Sequence, residues 1–260
     1  LMLNVELFKQ AGLVDKNGLP LYPKTWDELA KTAKIIKDKT GQAGLCLLAK
    51  DNAGGWHFTN IAWGFGAKFE VQKGGKWVAQ LNSPEVAAAV QYVKDLRWKY
   101  DVLTPDPTNE DWGTGFRELG TGAAAMYIAA QDAVNQPTQV NGLDVKSLSL
   151  VPVPAGPKGQ YSLMGGTPYM FSNKASSAQV TAALHYLEVM GKAPLVTEKS
   201  LAGLRADAQN RKTQGVPVIP TFPAWTDAAF LKAQQDAIDA YSNVDMRLYK
   251  DYYSKVAEKS

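Results

Sequence analysis

The sequence predicts an α/β fold followed by a mainly helical appendage. Short apolar runs bounded by glycine or proline alternate with amphipathic helical patterns up to about residue 192, and such interleaving is typical of α/β proteins. Beyond that point the chain becomes more polar and its patterns are mostly helical. We therefore predict an α/β lobe over residues 1–192 and a mainly helical segment over residues 193–260.

The composition is that of an ordinary globular protein. Of the 260 residues, 45% are hydrophobic and 20% are charged, which excludes a disordered or fibrous chain. The net charge of +3 is small and evenly scattered, so it gives no reason to expect a nucleic-acid partner. One cysteine and two histidines leave little material for a metal site, and we expect no cofactor.

The first elements carry the clearest local signals. Residues 1–8 have the pattern of a strand that runs into a helix. Thr25-Trp-Asp-Glu28 forms a capping box, which predicts that a helix begins there and extends to about Thr40. Gly41 then ends that helix.

Later elements follow from the same rules of periodicity and punctuation. Ser83 followed by Pro84 predicts another helix start, and the glycines of Lys73-Gly-Gly-Lys76 predict a hairpin turn. Strands are expected at residues 43–50, 69–72, 77–80, 123–129 and 148–153. Further helices are expected at residues 84–100, 109–119, 177–190, 199–214, 227–241 and 245–258. Turns or irregular chain are expected at residues 52–55, 101–107, 135–142, 154–159 and 215–220, with extended chain at 161–171.

The sequence contains few motifs that are typical of catalytic sites. The glycines between Gly113 and Gly120 miss the dinucleotide-binding spacing and follow no strand. Glu110 and Asp111 are adjacent carboxylates, but neighbouring residues on a helix do not face each other, so a solvated first turn is the better interpretation. His57 is expected to be a partly buried, hydrogen-bonded structural residue, with a polar site as the alternative.

Aromatic residues beside glycines are the remaining functional signal. The chain has seven tryptophans and 11 tyrosines. Four of them lie in glycine-flanked segments: Trp56, Trp63, Trp112 and Tyr169. Flat aromatic faces stack on the apolar faces of sugar rings, although each such residue alone is more often part of a core. Together they predict a small-molecule cleft.

The order of several motifs resembles the extracellular solute-binding proteins, family 1, of ABC importers, of the maltodextrin-binding type. Leu3–Leu13 is similar to the family's "YNKDLFKKAGL" segment, and Pro23–Leu29 to its "PKTWDEL" helix start. Three further segments match in the same order: Leu81–Val86, Phe116–Tyr127 and Val151–Pro157, the last followed by the glycine pair Gly165-Gly166.

This resemblance implies the second, C-terminal lobe of a periplasmic-binding-protein-like type II fold. The chain would begin after the first hinge crossing, so the first lobe, signal peptide and lipid-anchor cysteine would lie outside it. Residues 193–260 would be a hinge-crossing segment that packs on that first lobe. The implied function is a non-catalytic receptor that delivers a saccharide to the membrane permease of an importer. Its implied location is extracellular, either lipid-anchored at the cell surface or periplasmic.

The resemblance also implies a set of ligand contacts. Trp56 lies where the family places a contacting residue, and Gln131-Asp132 follows the strand where many relatives carry tryptophan. The expected ligand-binding residues are Trp56, Gln131, Asp132, Gly165, Gly166, Thr167 and Tyr169, with Trp63 and Trp112 as secondary candidates. The glycine pair is expected at the cleft-facing end of a strand.

Three alternatives stay open from the sequence. A glycoside hydrolase would need two converging carboxylates, for which Glu110, Asp111 and Asp132 are the candidates near aromatic residues. A receptor for a non-sugar solute is possible because Gln131-Asp132 and Phe65-Gly66 depart from the family's usual residues. A protein-interaction domain is the third alternative.

Overall fold

The computed structural model describes residues 1–166, 168–190, 192, 196–222 and 226–256. The chain divides into two units, one of residues 1–163 with the closing residues from 245, and one of residues 164–244. The strands are β1 (Met2–Asn4), β2 (Ala43–Cys46), β3 (Glu70–Lys73), β4 (Lys76–Ala79), β5 (Ala124–Tyr127) and β6 (Leu148–Leu150). The helices are α1 (Val5–Gln10), α2 (Trp26–Thr40), α3 (Asp51–Gly64), α4 (Pro84–Trp98), α5 (Trp112–Thr121), α6 (Ser177–Val189), α7 (Glu198–Thr213), α8 (Ala228–Tyr241) and α9 (Lys250–Val256).

A four-stranded sheet with the order β2-β5-β1-β6 forms the centre of the first unit. β2 runs parallel to β5, whereas β1 is antiparallel to both β5 and β6. The carboxyl ends of β2, β5 and β6 therefore lie at the same edge of the sheet, which we call the carboxyl edge. In open α/β sheets this edge is where ligands bind.

The core of the first unit lies between the sheet and the helices that cover it. Its largest members include Leu3, Phe8, Trp26, Leu29, Ile36, Leu45, Ile61 and Met126. Helix α2 approaches the sheet so closely that a Cβ on Gly44 would lie 2.3 Å from the Ala33 backbone. A glycine at position 44 is thus what permits this contact.

The predicted helix ends are confirmed where capping residues specify them. The Thr25 hydroxyl accepts a hydrogen bond from the Glu28 amide, and Gly41 ends α2 in the left-handed conformation with φ of 75°. Ser83 caps α4 in the same way. The hairpin β3–β4 turns at Gly74-Gly75, both with positive φ, as that two-residue turn requires.

Two predicted boundaries are wrong because close packing overrides local glycine signals. Residues 52–55 form the first turn of α3 instead of a turn, and a Cβ on Gly54 would meet the Ala49 backbone at 2.8 Å. Helix α5 begins after Asp111 and is capped by Gly122 with φ of 81°. Gly120, predicted as its end, lies inside the helix, where a Cβ would lie 2.4 Å from Asn141.

The described residues of the second unit form mainly α6, α7, α8 and an irregular segment that follows α7 over residues 214–222. In the described part of that segment, the buried residues are Val216, Pro217, Val218 and Ile219. Asn243 accepts a hydrogen bond from the Val218 amide and donates one to the Val216 carbonyl, which fixes the segment beside the end of α8. The domain boundary predicted at residue 192 stays a prediction.

Candidate functional site

Side chains from three elements meet at the carboxyl edge of the sheet. Helix α3 follows β2 and carries Trp56 and His57, while α5 begins with Trp112. Strand β5 ends at Tyr127, and a short 3₁₀ turn, Gln131–Ala133, follows it. Parallel strands end together, so the topology brings residues 56, 112 and 127 to one place although they are distant in sequence.

Four rings lead from the core of this edge to solvent. The Trp56 and Trp112 ring centroids are 6.4 Å apart in an edge-to-face arrangement. His57 lies 5.5 Å from Trp112 and 5.2 Å from Tyr127. Trp56 is half-buried and Trp112 is 37% exposed, whereas Tyr127 is fully buried. The two indoles are therefore the part of the cluster that a solute could contact.

His57 is a buried structural residue, as the sequence predicted. Its Nδ1 accepts a hydrogen bond from the Leu48 amide at 3.2 Å, which leaves the proton on Nε2 in the neutral ring. Burial lowers the pKa of His57 to about 3, with the Ile128 backbone carbonyl acting in the opposite direction. The imidazole is neutral at physiological pH and packs edge-to-face against the indole of Trp112.

The carboxylates near the cluster serve structural roles. Glu110 is only 5% exposed, so its predicted place in a solvated first turn is wrong. Its Oε2 accepts hydrogen bonds from the Thr104 hydroxyl at 2.6 Å and from the Cys46 thiol at 3.3 Å. Asp111 instead caps α5, and hydrogen bonds from Thr114 lower the pKa of the Asp111 carboxyl. The two side chains thus have separate structural partners, one in the interior and one at the helix end.

Gln131 and Asp132 lie beside the closing helix α9. The Tyr253 hydroxyl donates a hydrogen bond to Gln131 Oε1 at 3.2 Å. Tyr252 contacts the Tyr253 ring edge-to-face, and burial together with the charge of Asp132 raises the pKa of Tyr252 to about 12. The sequence does not predict a role for either tyrosine, because no local pattern links residue 253 to residue 131.

Three sets of contacts join the closing residues from 245 to the rest of the first unit. The Tyr249 hydroxyl donates to the Leu148 carbonyl at 2.9 Å, and the Ser149 hydroxyl donates to the Leu248 carbonyl at 2.6 Å. Asp251 accepts a hydrogen bond from the Tyr22 hydroxyl, and Lys24 Nζ lies 3.5 Å from the same carboxylate. The tyrosines beside Gln131 are therefore held by strand β6 and by the loop before α2.

Trp63 belongs to a different place from Trp56 and Trp112. It lies near the end of α3 and lines an open groove of about 510 Å³. The other lining residues are Ala67, Lys68, Phe69, Glu70, Trp77 and Ala79. We call this the Trp63–Trp77 groove.

The remaining predicted contacts lie in the second unit. Gly165, Gly166 and Tyr169 are in irregular chain, and Tyr169 is 50% exposed. The expectation that the glycine pair ends a strand is wrong, because the described residues 161–166 and 168–171 belong to none of the strands. Thr167 lies outside the described residues.

Across the ranges that the structure describes, no group of three or more His, Cys, Asp or Glu side chains could hold a metal ion. Within the same ranges, every helix is too short or too polar to cross a membrane.

The fold is that of the periplasmic-binding-protein-like type II class. Residues 1–191 match the family of bacterial extracellular solute-binding proteins. The chain belongs to this family, whose members act in transport.

Three relatives illustrate the likeness. A 97-residue stretch is 31% identical to the diacetylchitobiose binding protein DasA of Streptomyces coelicolor, and it covers 37% of this chain and 21% of DasA. The maltose-bound MalE3 of T. maritima is 20% identical with a TM-score of 0.62, over 99% of this chain and 62% of that protein. The GacH receptor of Streptomyces glaucescens is 22% identical with a TM-score of 0.59, over 99% of this chain and 60% of GacH. The chain thus spans less than two thirds of each relative.

Proposed function

We propose that this chain is the ligand-binding second lobe of a carbohydrate receptor that serves an ABC importer. In this proposal the solute is a saccharide, the partner is the importer's membrane permease, and the site is non-catalytic. The receptor would act outside the cytoplasm, either anchored by a lipid or free in a periplasm. DasA is a diacetylchitobiose binding protein, and MalE3 was solved with bound maltose. Both similarities support a saccharide over other solutes.

The observation that carries the proposal is the pair of accessible indoles at the carboxyl edge. The ring centroids of Trp56 and Trp112 are 6.4 Å apart. Both rings present apolar surface at the edge where α/β sheets bind ligands. A sugar ring has apolar C–H faces that pack on such surfaces, and aromatic packing of this kind stabilises complexes by burial of large areas. The pair is thus suited to hold the ring of a sugar.

Polar groups at the same edge would recognise hydroxyl groups. The amide of Gln131 can both donate and accept hydrogen bonds, and the exposed carboxylate of Asp132 accepts them. Gly165, Gly166, Thr167 and Tyr169 stay proposed contacts that rest on the family resemblance. Glu110 is buried and hydrogen-bonded to Thr104 and Cys46, so it is not available as one of the two carboxylates that glycoside hydrolysis uses, which supports a non-catalytic site.

A fluorescence titration tests the proposal. We would titrate the chain with maltose, maltotetraose and diacetylchitobiose and assay the same samples for hydrolysis. We expect saturable quenching without turnover, and Trp56→Ala should weaken binding by about 2 kcal/mol or more, as for buried anchor aromatics. Trp98→Ala is the matched control, because Trp98 is 75% exposed at the end of α4 and lies outside the cluster.

Each other result would argue against the proposal. Hydrolysis that is lost with Asp132→Asn would favour the enzyme alternative. Binding of glycerophosphocholine, the ligand in the solved UgpB complex of Mycobacterium tuberculosis, without any response to saccharides would favour a receptor for another solute.

A further inference from the structure

We propose that the Trp63–Trp77 groove is a second saccharide subsite, which contacts the distal part of an oligosaccharide whose first rings lie on Trp56 and Trp112. This inference rests on the proposed function. It assigns a role to the hairpin β3–β4, which the carboxyl-edge site does not use.

The groove has two indole walls from different elements. Trp63 is half-buried on α3, whereas Trp77 lies on β4 and is 65% exposed. Because most of its surface remains in water, Trp77 contributes little to the hydrophobic core. A large exposed aromatic residue that lines a concavity is a common mark of a binding surface.

The hairpin is fixed in the position that forms the groove. The Phe58 ring of α3 stacks on Phe69 at a centroid distance of 6.4 Å and an interplanar angle of 25°. The Gln80 amide donates to the Phe69 carbonyl at 2.7 Å, so both ends of the hairpin are joined at its base. Trp77 is opposite Gln72 in the register, on the same hairpin face as Glu70 and Ala79, which also line the groove.

The polar lining favours a saccharide over a protein partner. Lys68 and Glu70 are exposed and line the groove together with the two indoles. The centre of a protein–protein interface is depleted of charged residues, whereas a sugar needs hydrogen-bond donors and acceptors beside an apolar platform. A volume of about 510 Å³ falls within the range of small-molecule sites.

Helix α3 joins the groove to the carboxyl edge. Trp56 and Trp63 are seven residues apart, which is close to two helical turns, so both project from one face about 10.5 Å apart along the axis. Between them lie Thr59, which is half-buried, and Asn60, which is buried and whose Oδ1 accepts a hydrogen bond from the Leu163 amide at 2.8 Å. Trp56 and Trp63 are both half-buried, so each keeps part of its ring surface in contact with solvent on this side of α3.

The test is ¹⁹F NMR of the chain labelled with 5-fluorotryptophan, with its seven signals assigned by single Trp→Phe variants. The probes are maltooligosaccharides and chitooligosaccharides of two, four and six units. We expect disaccharides to shift the Trp56 and Trp112 signals, and the longer sugars to shift those of Trp63 and Trp77 as well. The hexasaccharide should bind roughly tenfold more tightly than the disaccharide, since an added aromatic contact contributes about one such factor. Trp77→Ala should abolish that gain, and Trp98→Ala should leave it unchanged.

The outcomes separate the two proposals. If Trp56 and Trp112 shift but Trp63 and Trp77 stay fixed with the hexasaccharide, the groove is not a subsite and the proposed function stands. If only Trp63 and Trp77 shift, the groove binds sugar and the carboxyl-edge site is wrong. If none of the four signals shifts with any of the sugars, both the proposed function and this inference are wrong. A Trp77 signal that moves with protein concentration in the absence of sugar would show that a second copy covers the groove, which also overturns this inference.

Discussion

The hydroxyl of Tyr253 donates a hydrogen bond to Oε1 of Gln131, which lies 122 residues earlier in the chain, at 3.2 Å. This contact turns the oxygen of the Gln131 side-chain amide towards α9, so the amide nitrogen points away from the Tyr253 hydroxyl. The closing helix therefore helps to orient a side chain that we propose as a sugar contact.

Replacement of Tyr253 by Phe tests this orientation. We expect the variant to change the ¹H–¹⁵N signals of the Gln131 side-chain amide and to lower the free energy of unfolding by about 1 kcal/mol. Tyr249→Phe is the matched control, because it removes a similar hydrogen bond on the same segment, to the Leu148 carbonyl. Equal changes of the Gln131 signals in both variants would show that the hydrogen bond does not act on Gln131 specifically.

Two glycines of α5 should respond in opposite ways to alanine. A Cβ on Gly115 would lie 2.3 Å from the Tyr127 ring, so Gly115→Ala must displace α5 or Tyr127 and should cost roughly 1–3 kcal/mol. A Cβ on Gly113 meets its nearest neighbour, Asp111 Oδ1, at 3.5 Å, so Gly113→Ala should be neutral or stabilising by up to about 1 kcal/mol. Thermal unfolding of both variants checks this difference, and an unchanged stability of Gly115→Ala would contradict the packing.

His57 should make stability fall in mild acid. Burial lowers its pKa in the folded chain to about 3, below its ordinary value of 6.5, so the unfolded chain binds the proton first as pH falls. The contribution of neutral His57 to the free energy of unfolding is complete above pH 6.5. It falls by about 1.4 kcal/mol per pH unit between pH 6.5 and pH 3. Urea unfolding at pH 7, 6 and 5 should show that His57→Gln lacks this slope. A parallel slope in the variant would place the titration elsewhere.

The buried Glu110 carboxylate depends on Thr104. Thr104→Val keeps the shape of the side chain but removes a 2.6 Å hydrogen bond to a buried acceptor, which should cost about 2 kcal/mol. Thr108→Val removes a hydrogen bond to Asp106 at the surface and should change stability by less than about 0.5 kcal/mol. Urea denaturation compares the two, and a similar effect for both would mean that solvent reaches Glu110.

Local chemistry allowed the element boundaries to be predicted where one residue satisfies a backbone group or supplies a special conformation. Thr25, Ser83, Gly41 and the Gly74-Gly75 pair are in the positions that the sequence predicted. The boundaries predicted from Gly54 and Gly120 are wrong because each glycine is required by a close approach, of Ala49 to Gly54 and of Asn141 to Gly120, and not by a turn of its own. A close approach of this kind leaves no periodic pattern in the sequence.

The candidate site divides in the same way. The sequence by itself determined the α/β class, the helix starts and a set of aromatic residues beside glycines, because caps, turns and periodicity act over a few residues. Only the tertiary structure decided that Trp56 contacts Trp112, that Trp63 belongs with Trp77, and that Tyr253 reaches Gln131. Strand order and helix packing set these contacts, because they bring together residues whose separation in sequence carries no local signal.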